Sequence, residues 1–240
     1  MPSSKNRAAL IISKLNRRYK HCLDDLLNYY GKVATQENEI EKIRVKEIDF
    51  EQITIGFHHK MVDFEILKPL RYEDDRVCKN WNEVESTIQK MCYTAANAKN
   101  VSPICLKKIV YPFSPINWLL IFGMSLLFIG HYNPDFIYNR LLGRISLIPP
   151  FKPWNDTILL GAMITHVTES LTLLRPKMAY YRIPVDYKME WYACSMLDGF
   201  ASVNRLNNYV KSIEGRYFDF SDDSESIDVK PVVDSDSELQ

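Results

Sequence analysis

The sequence predicts an α+β N-terminal domain (helix, antiparallel sheet, helix) followed by an all-α transmembrane bundle of two to three helices. Three observations lead there. No formally charged residue lies between Lys108 and Asp135, taking His131 as neutral, and the run from Ile116 to Gly130 is almost wholly apolar; a bilayer core takes about 20 such residues as a helix. Ile53, Ile55 and Phe57 alternate with Gln52, Thr54 and Gly56, the two-residue period of a strand. On either side of that alternation apolar residues recur at three and four, the period of a helix with one buried face. The chain then divides into a soluble domain at 1–110, a membrane domain at 111–212 and a disordered acidic tail at 213–240.

The elements of the soluble half follow in order. Ser3 or Ser4 can cap a first helix whose stripe is Ala9, Ile12, Leu15, Tyr19, Leu23, Leu26 and Tyr30, with Gly31 as its stop. A strand near Ile43–Ile48 precedes the alternation at 53–57. Val62, Phe64 and Ile66 resume that alternation after the His58-His59-Lys60 turn, which makes a hairpin. Asn80 with Glu83 opens a second helix with apolar Val84, Ile88, Met91 and Ala95.

In the membrane half the first span is framed by Tyr111 and Trp118 at one end and Tyr132 at the other, as interfacial aromatics are. A second candidate runs from Thr157 to Leu174, with Glu169 as its one formal charge and Arg175-Pro176-Lys177 as its end. A third, Met189 to Asn204, carries Glu190 and Asp198, and hydropathy alone balances it between crossing and lying on the surface. The connection from Asn133 to Pro153 reads as an interfacial loop with a short amphipathic helix around Phe136–Ile145. From Asp219 onward seven more acidic residues face one Lys230, and such a stretch buries too little apolar surface to fold.

Lysine plus arginine, 30, equals aspartate plus glutamate, 30, so no basic field points to nucleic acid. The five cysteines form no C-x-x-C pair and read as packing residues of a reducing compartment. The N-terminal apolar run Ala8–Ile12 is too short for a secretory signal. Lys107 and Lys108 before the first span, and Arg175, Lys177, Arg182 and Lys188 after the second, outweigh Arg140, Arg144 and Lys152 between them. That bias places the N-terminal domain in the cytosol.

The order Ile12, Asn16, a helix ending in Tyr30-Gly31, then Val45-Lys-Glu-Ile-Asp49-Phe, Ile53-Thr-Ile55 and Lys68-Pro-Leu70 resembles the domain-of-unknown-function family 2470. That family includes the C-terminal domain of HugZ-type haem oxygenases, and the resemblance covers roughly Asn6 to Val110. It implies an α+β fold and, as a weaker functional expectation, tetrapyrrole binding. Where the family's first helix carries His-Met-Asn-x-Asp-His, this chain reads Lys14-Leu15-Asn16-Arg17-Arg18-Tyr19; Asn16 is kept and both imidazoles are replaced. His166-Val-Thr-Glu169, Lys188-Met-Glu-Trp191 and Asp198-Gly-Phe200 are more faintly similar to the transmembrane protein 254 family. The likeness at Lys188 favours three spans.

His166, Glu169 and Asp198 form the candidate site, a polar cluster at membrane depth. His166 and Glu169 are three residues apart and share a helix face. Ionisable groups in an apolar segment are costly and turn toward protein or a water-filled cavity. The bland alternative is a polar contact between helices. His58 and His59 are adjacent on a strand and point to opposite faces, so no metal is expected there. No phosphate loop, nucleophile elbow or H-E-x-x-H run is present, and no catalytic residue is assigned. The expectation is an endoplasmic-reticulum membrane protein without a cofactor. Its cytosolic domain binds a membrane or cytosolic protein or docks on the bilayer. The alternative is a lipid- or cofactor-handling enzyme using the His/Glu/Asp cluster.

Overall fold

The computed structural model describes residues 4–34, 39–73, 77–143 and 149–220. The chain forms two compact units. One runs to Cys105 and takes the chain up again at Gly215; the other is Leu106–Glu214.

In the first unit the stripe read as one helix is two, α1 (Ser4–Arg17) and α2 (Lys20–Tyr29). The break falls at Tyr19, whose φ of −108° and ψ of 24° lie outside the helix. Tyr19 is drawn into an aromatic cluster with Tyr217, Phe218 and Phe220, at ring-centroid distances of 5.5, 5.0 and 5.5 Å. Its hydroxyl donates to the Tyr217 carbonyl. The buried face also slips, for Ile11, Cys22 and Leu27 are buried whereas Ala9 is exposed. Ser3 lies outside the described residues.

Strands β1 (Ile40–Ile48), β2 (Gln52–His59) and β3 (Glu65–Arg71) form an antiparallel sheet in that order. Asn16 fixes β1 from α1. Its amide accepts from the Val45 N–H at 2.7 Å and donates to the Val45 carbonyl at 3.1 Å, as a neighbouring strand would. The third strand starts at Glu65, later than the 62–66 alternation implied. Pairing of Ile53 with Leu70 and Phe57 with Ile66 places 60–64 in the turn, where Met61 and Phe64 face outward. Helix α3 (Trp81–Ala98) starts as expected, with the Asn80 side chain accepting from the Glu83 N–H at 2.9 Å. Val84, Ile88, Met91, Cys92, Ala95 and Ala96 form its buried face.

The tail expected to be disordered from 213 holds folded chain at its start. Ile213 and Glu214 end a helix, and Tyr217, Phe218 and Phe220 are buried in the first unit. The aromatics outweigh the nearby acidic residues because they fill the space around Tyr19. The Ser/Asp/Glu-rich remainder, 221–240, lies outside the described residues.

The second unit is helical. Helix α4 (Pro115–Tyr132) is followed by a π-turn at Phe136–Leu141 and a 3₁₀ turn at Pro149–Trp154. Helix α5 (Asn155–Glu169) continues through a π-turn at Ser170–Leu174 into α6 (Arg175–Tyr180). Arg175-Pro176-Lys177 therefore does not end this segment. Proline lacks an N–H to donate, and the adjoining π-turn already shifts the hydrogen-bond ladder, with Arg175 N–H bonded to Ser170 O.

Among the described residues two helical stretches are long and apolar enough to cross a bilayer, Pro115–Tyr132 and the 30 residues Phe151–Tyr180. The 189–204 segment is interrupted. Helix α7 (Val185–Asp198) stops at Gly199, and α8 (Phe200–Glu214) begins beyond it. Near the loop-side ends of α4 and α5, Gly130 permits close packing. A Cβ there would lie 2.5 Å from Asn155 Oδ1, and buried Asn155 accepts from the Tyr138 hydroxyl and donates to Leu127 O.

Candidate functional site

The break between α7 and α8 builds the site. Gly199 sits at φ 55° and ψ −127°, a conformation open to glycine and strained for any residue with a Cβ. Ending α7 there leaves the carbonyls of its last turn without intrahelical partners. His166 on α5 supplies one, its Nδ1 lying 2.9 Å from Met196 O. A carbonyl only accepts, so in the neutral ring the proton is on Nδ1 and Nε2 keeps its lone pair.

Glu169, one turn along α5, meets the same spot. A Cβ built on Gly199 would lie 2.8 Å from both Glu169 Oε2 and His166 Nε2. Two acceptor atoms thus converge beside one glycine. Among the described residues the Glu169 carboxylate has no hydrogen bond or ion pair. Next along the chain, at the start of the π-turn, Ser170 bonds Ser195 across to α7 at 2.7 Å.

Asp198 has a different role from the one its spacing suggested. It is buried and bound by Arg205 Nη1, and it accepts from Ser202 Oγ at 2.6 Å. Arg205 also donates from Nη2 to Ser202 Oγ at 2.9 Å and from Nε to Val110 O at 3.1 Å. The guanidinium and Asp198 neutralise each other within the α7–α8 corner.

His166, Glu169, Asp198 and Arg205 all border one cleft of about 640 Å³ within the second unit. Asn117, Asn204 and Asn208 add neutral amides to its wall, and Ile116, Leu120 and Phe200 give it an apolar side. Away from the spans, Tyr111 donates to Glu190 Oε2 at 2.7 Å. That hydrogen bond, reinforced by the negative charge of Glu190, holds the Tyr111 hydroxyl above the ordinary tyrosine range.

Sequence reasoning missed Arg205 and Gly199. Asp198 and Arg205 lie on opposite sides of the Gly199 break, on α7 and α8, so no helical spacing announced the pair, and Val110, 95 positions away, gave no signal either. Among the described residues no group of three or more His, Cys, Asp or Glu side chains is placed to hold a metal. His59 instead faces Glu39 at 3.3 Å.

Residues 114–212 match the family described as the YDR476C-like C-terminal domain. Most of the chain is also similar to the uncharacterized protein YDR476C of Saccharomyces cerevisiae. The two are 24% identical over 224 residues, which is 85% of this chain and 96% of the yeast protein. The YDR476C-like segment contains both apolar helical stretches and all four of the charged and imidazole groups at the cleft.

Proposed function

We propose that the protein crosses a bilayer twice and that its helical unit seats the polar part of an amphiphilic ligand in the Glu169 cleft. The observation that carries this reading is an unpartnered carboxylate and an imidazole lone pair facing a cleft, on a helix that also exposes Ile158, Leu160, Ile164 and Val167. Only 17% of each apolar window is buried, and Leu119, Phe122, Leu160 and Ile164 are each more than half exposed. That is the reverse of a core helix in a soluble protein and the arrangement expected against lipid. The stretch from Phe151 to Tyr180 is about 45 Å long at 1.5 Å per residue, ample for a core of about 30 Å. Exposed Trp118, Tyr132 and Trp154 flank the apolar surface, as interfacial anchors do.

The test is purification of the intact chain in mild detergent, followed by mass spectrometry of what travels with it. A stoichiometric amphiphile that disappears in Glu169→Gln is the expected result. Wild-type protein free of any amphiphile would overturn the reading. If the bound molecule is instead turned over, His166 Nε2 is placed to take a proton, and the protein is a lipid-handling enzyme.

We further propose residence in the endoplasmic reticulum with the first unit cytosolic, on the strength of the lysine and arginine bias around the two spans. Asn100 in Asn100-Val-Ser102 is exposed, so a luminal first unit would be glycosylated there. An endoglycosidase-sensitive shift lost in Asn100→Gln would reverse the orientation.

A second reading, that the first unit binds a partner protein, is favoured by Met61, Phe64 and Leu67, exposed by 83%, 69% and 57% on the β2–β3 hairpin. Loss of a co-purifying protein in Met61→Ser/Phe64→Ser supports it, and an unchanged set of partners counts against it. Tetrapyrrole binding by this unit has weaker support. The family's histidine positions hold Lys14 and a fully buried Tyr19, and a Soret band in purified protein would revive it.

A further inference from the structure

Resting on that reading of the cleft, we infer that the group seated at Glu169 is a primary ammonium. It comes from an aminophospholipid headgroup or from a long-chain amine. The cleft has three charged walls, and two of them cancel. Arg205 bonds Asp198, Ser202 and Val110 from its three nitrogens, and its charge is balanced by the Asp198 carboxylate within the α7–α8 corner. Glu169 is the charge that remains, and it would repel an anion placed beside it.

The second constraint is the kind of atom presented. With Nδ1–H given to Met196 O, the neutral form of the His166 ring offers only the Nε2 lone pair. That lone pair and Glu169 Oε2 each lie 2.8 Å from the position a Gly199 Cβ would take, so the two acceptors are near neighbours across the Gly199 corner. A group that bridges two neighbouring acceptors must donate at least two hydrogens, and beside an unpartnered carboxylate it carries positive charge. A primary ammonium has three N–H groups; a quaternary ammonium has none. A metal ion is disfavoured by the ligand count, since Asp198 is engaged and two ligands remain. The apolar wall of Ile116, Leu120 and Phe200 offers a path for an acyl or alkyl chain.

The experiment uses the full chain, exchanged into detergent and challenged with three probes: phosphatidylethanolamine, its N-trimethyl counterpart phosphatidylcholine, and a long-chain primary amine. Native mass spectrometry counts what stays bound. The expected result is about tenfold better retention of the ethanolamine lipid than of the choline lipid, the scale of one charge-assisted hydrogen bond. Glu169→Gln should erase the preference, whereas Glu190→Gln keeps it. Retention of the free amine without the phospholipid identifies the amine as the source and supports the inference equally. Equal retention of both phospholipids overturns the ammonium while leaving the cleft reading in place, and retention of no probe overturns both. Should Glu169→Gln fail to accumulate, the wild-type preference between the two phospholipids decides by itself.

Discussion

Replacing Gly199 by alanine tests the geometry of the cleft at its narrowest point. A Cβ at this residue would lie 2.7 Å from His166 Cδ2 and 2.8 Å from His166 Nε2 and Glu169 Oε2. The His166 ring does not retreat freely, because it is tied to Met196 O at 2.9 Å, whereas the end of Glu169 can swing aside. Relieving such a contact by overpacking adjustments costs about 1–3 kcal/mol. The backbone adds to this, since φ 55° with ψ −127° is a glycine conformation whose strain for alanine is about 1–3 kcal/mol. Together these give about 2–6 kcal/mol, a fall in melting temperature on the order of 10 °C or more for a unit of this size. Gly123 and Gly161 are internal controls, for an added Cβ meets nothing within 4 Å at either. Alanine there should leave stability unchanged or raise it by about 0.5–1 kcal/mol through helix propensity. Thermal melts of the full chain in detergent, read by size-exclusion, compare the three variants. If Gly199→Ala melts with the wild type, or if Gly161→Ala is equally damaging, the packing of His166 and Glu169 on Gly199 is wrong.

Other expectations follow from single contacts. Arg205→Met strands a buried carboxylate and should destabilise by about 3–5 kcal/mol. Adding Asp198→Leu should recover much of that loss, and a double variant as weak as the single would refute the pairing. Tyr217→Phe removes the hydroxyl that accepts from Cys105 N–H at 2.9 Å, and losing one such hydrogen bond costs about 0.5–1.5 kcal/mol, read as faster proteolysis of the first unit. Asn80→Ala should cost about 1 kcal/mol through loss of the α3 cap, whereas Asn80→Asp should hold wild-type stability. Arg44 and Lys46 hydrogen-bond the Glu65 carboxylate and lower its pKa from 4.5 to about 2. With the folded value depressed, the stabilisation is present above pH 4.5 and is lost as pH falls toward 2. Acid titration of proteolytic sensitivity should show that loss in the wild type and a flatter profile in Glu65→Gln.

Several features were legible in the sequence because they are set within a few residues of one another. The two apolar stretches, the α3 cap from Asn80 and Glu83, and the alternation of β2 all depend on neighbours at most four positions away. Hydropathy and period report such neighbours directly. The same locality brought out His166 and Glu169, whose three-residue spacing in an apolar run is visible without a fold.

What lies beyond a turn was decided by tertiary contact. The β3 register depends on which residues of β2 it meets, so the alternation at 62–66 misplaced its start. Tyr19 belongs to a helical stripe by period, yet the helix breaks there because residues 217–220 pack on its ring from almost two hundred positions away. Asp198 read as a member of the cluster with His166 and Glu169, and only the fold brings Arg205 onto it, with the Val110 carbonyl holding the guanidinium in place. Gly199 is the sharpest case. Its letter permits a helix or a stop, and the choice belongs to His166 and Glu169, which occupy the space a side chain would need.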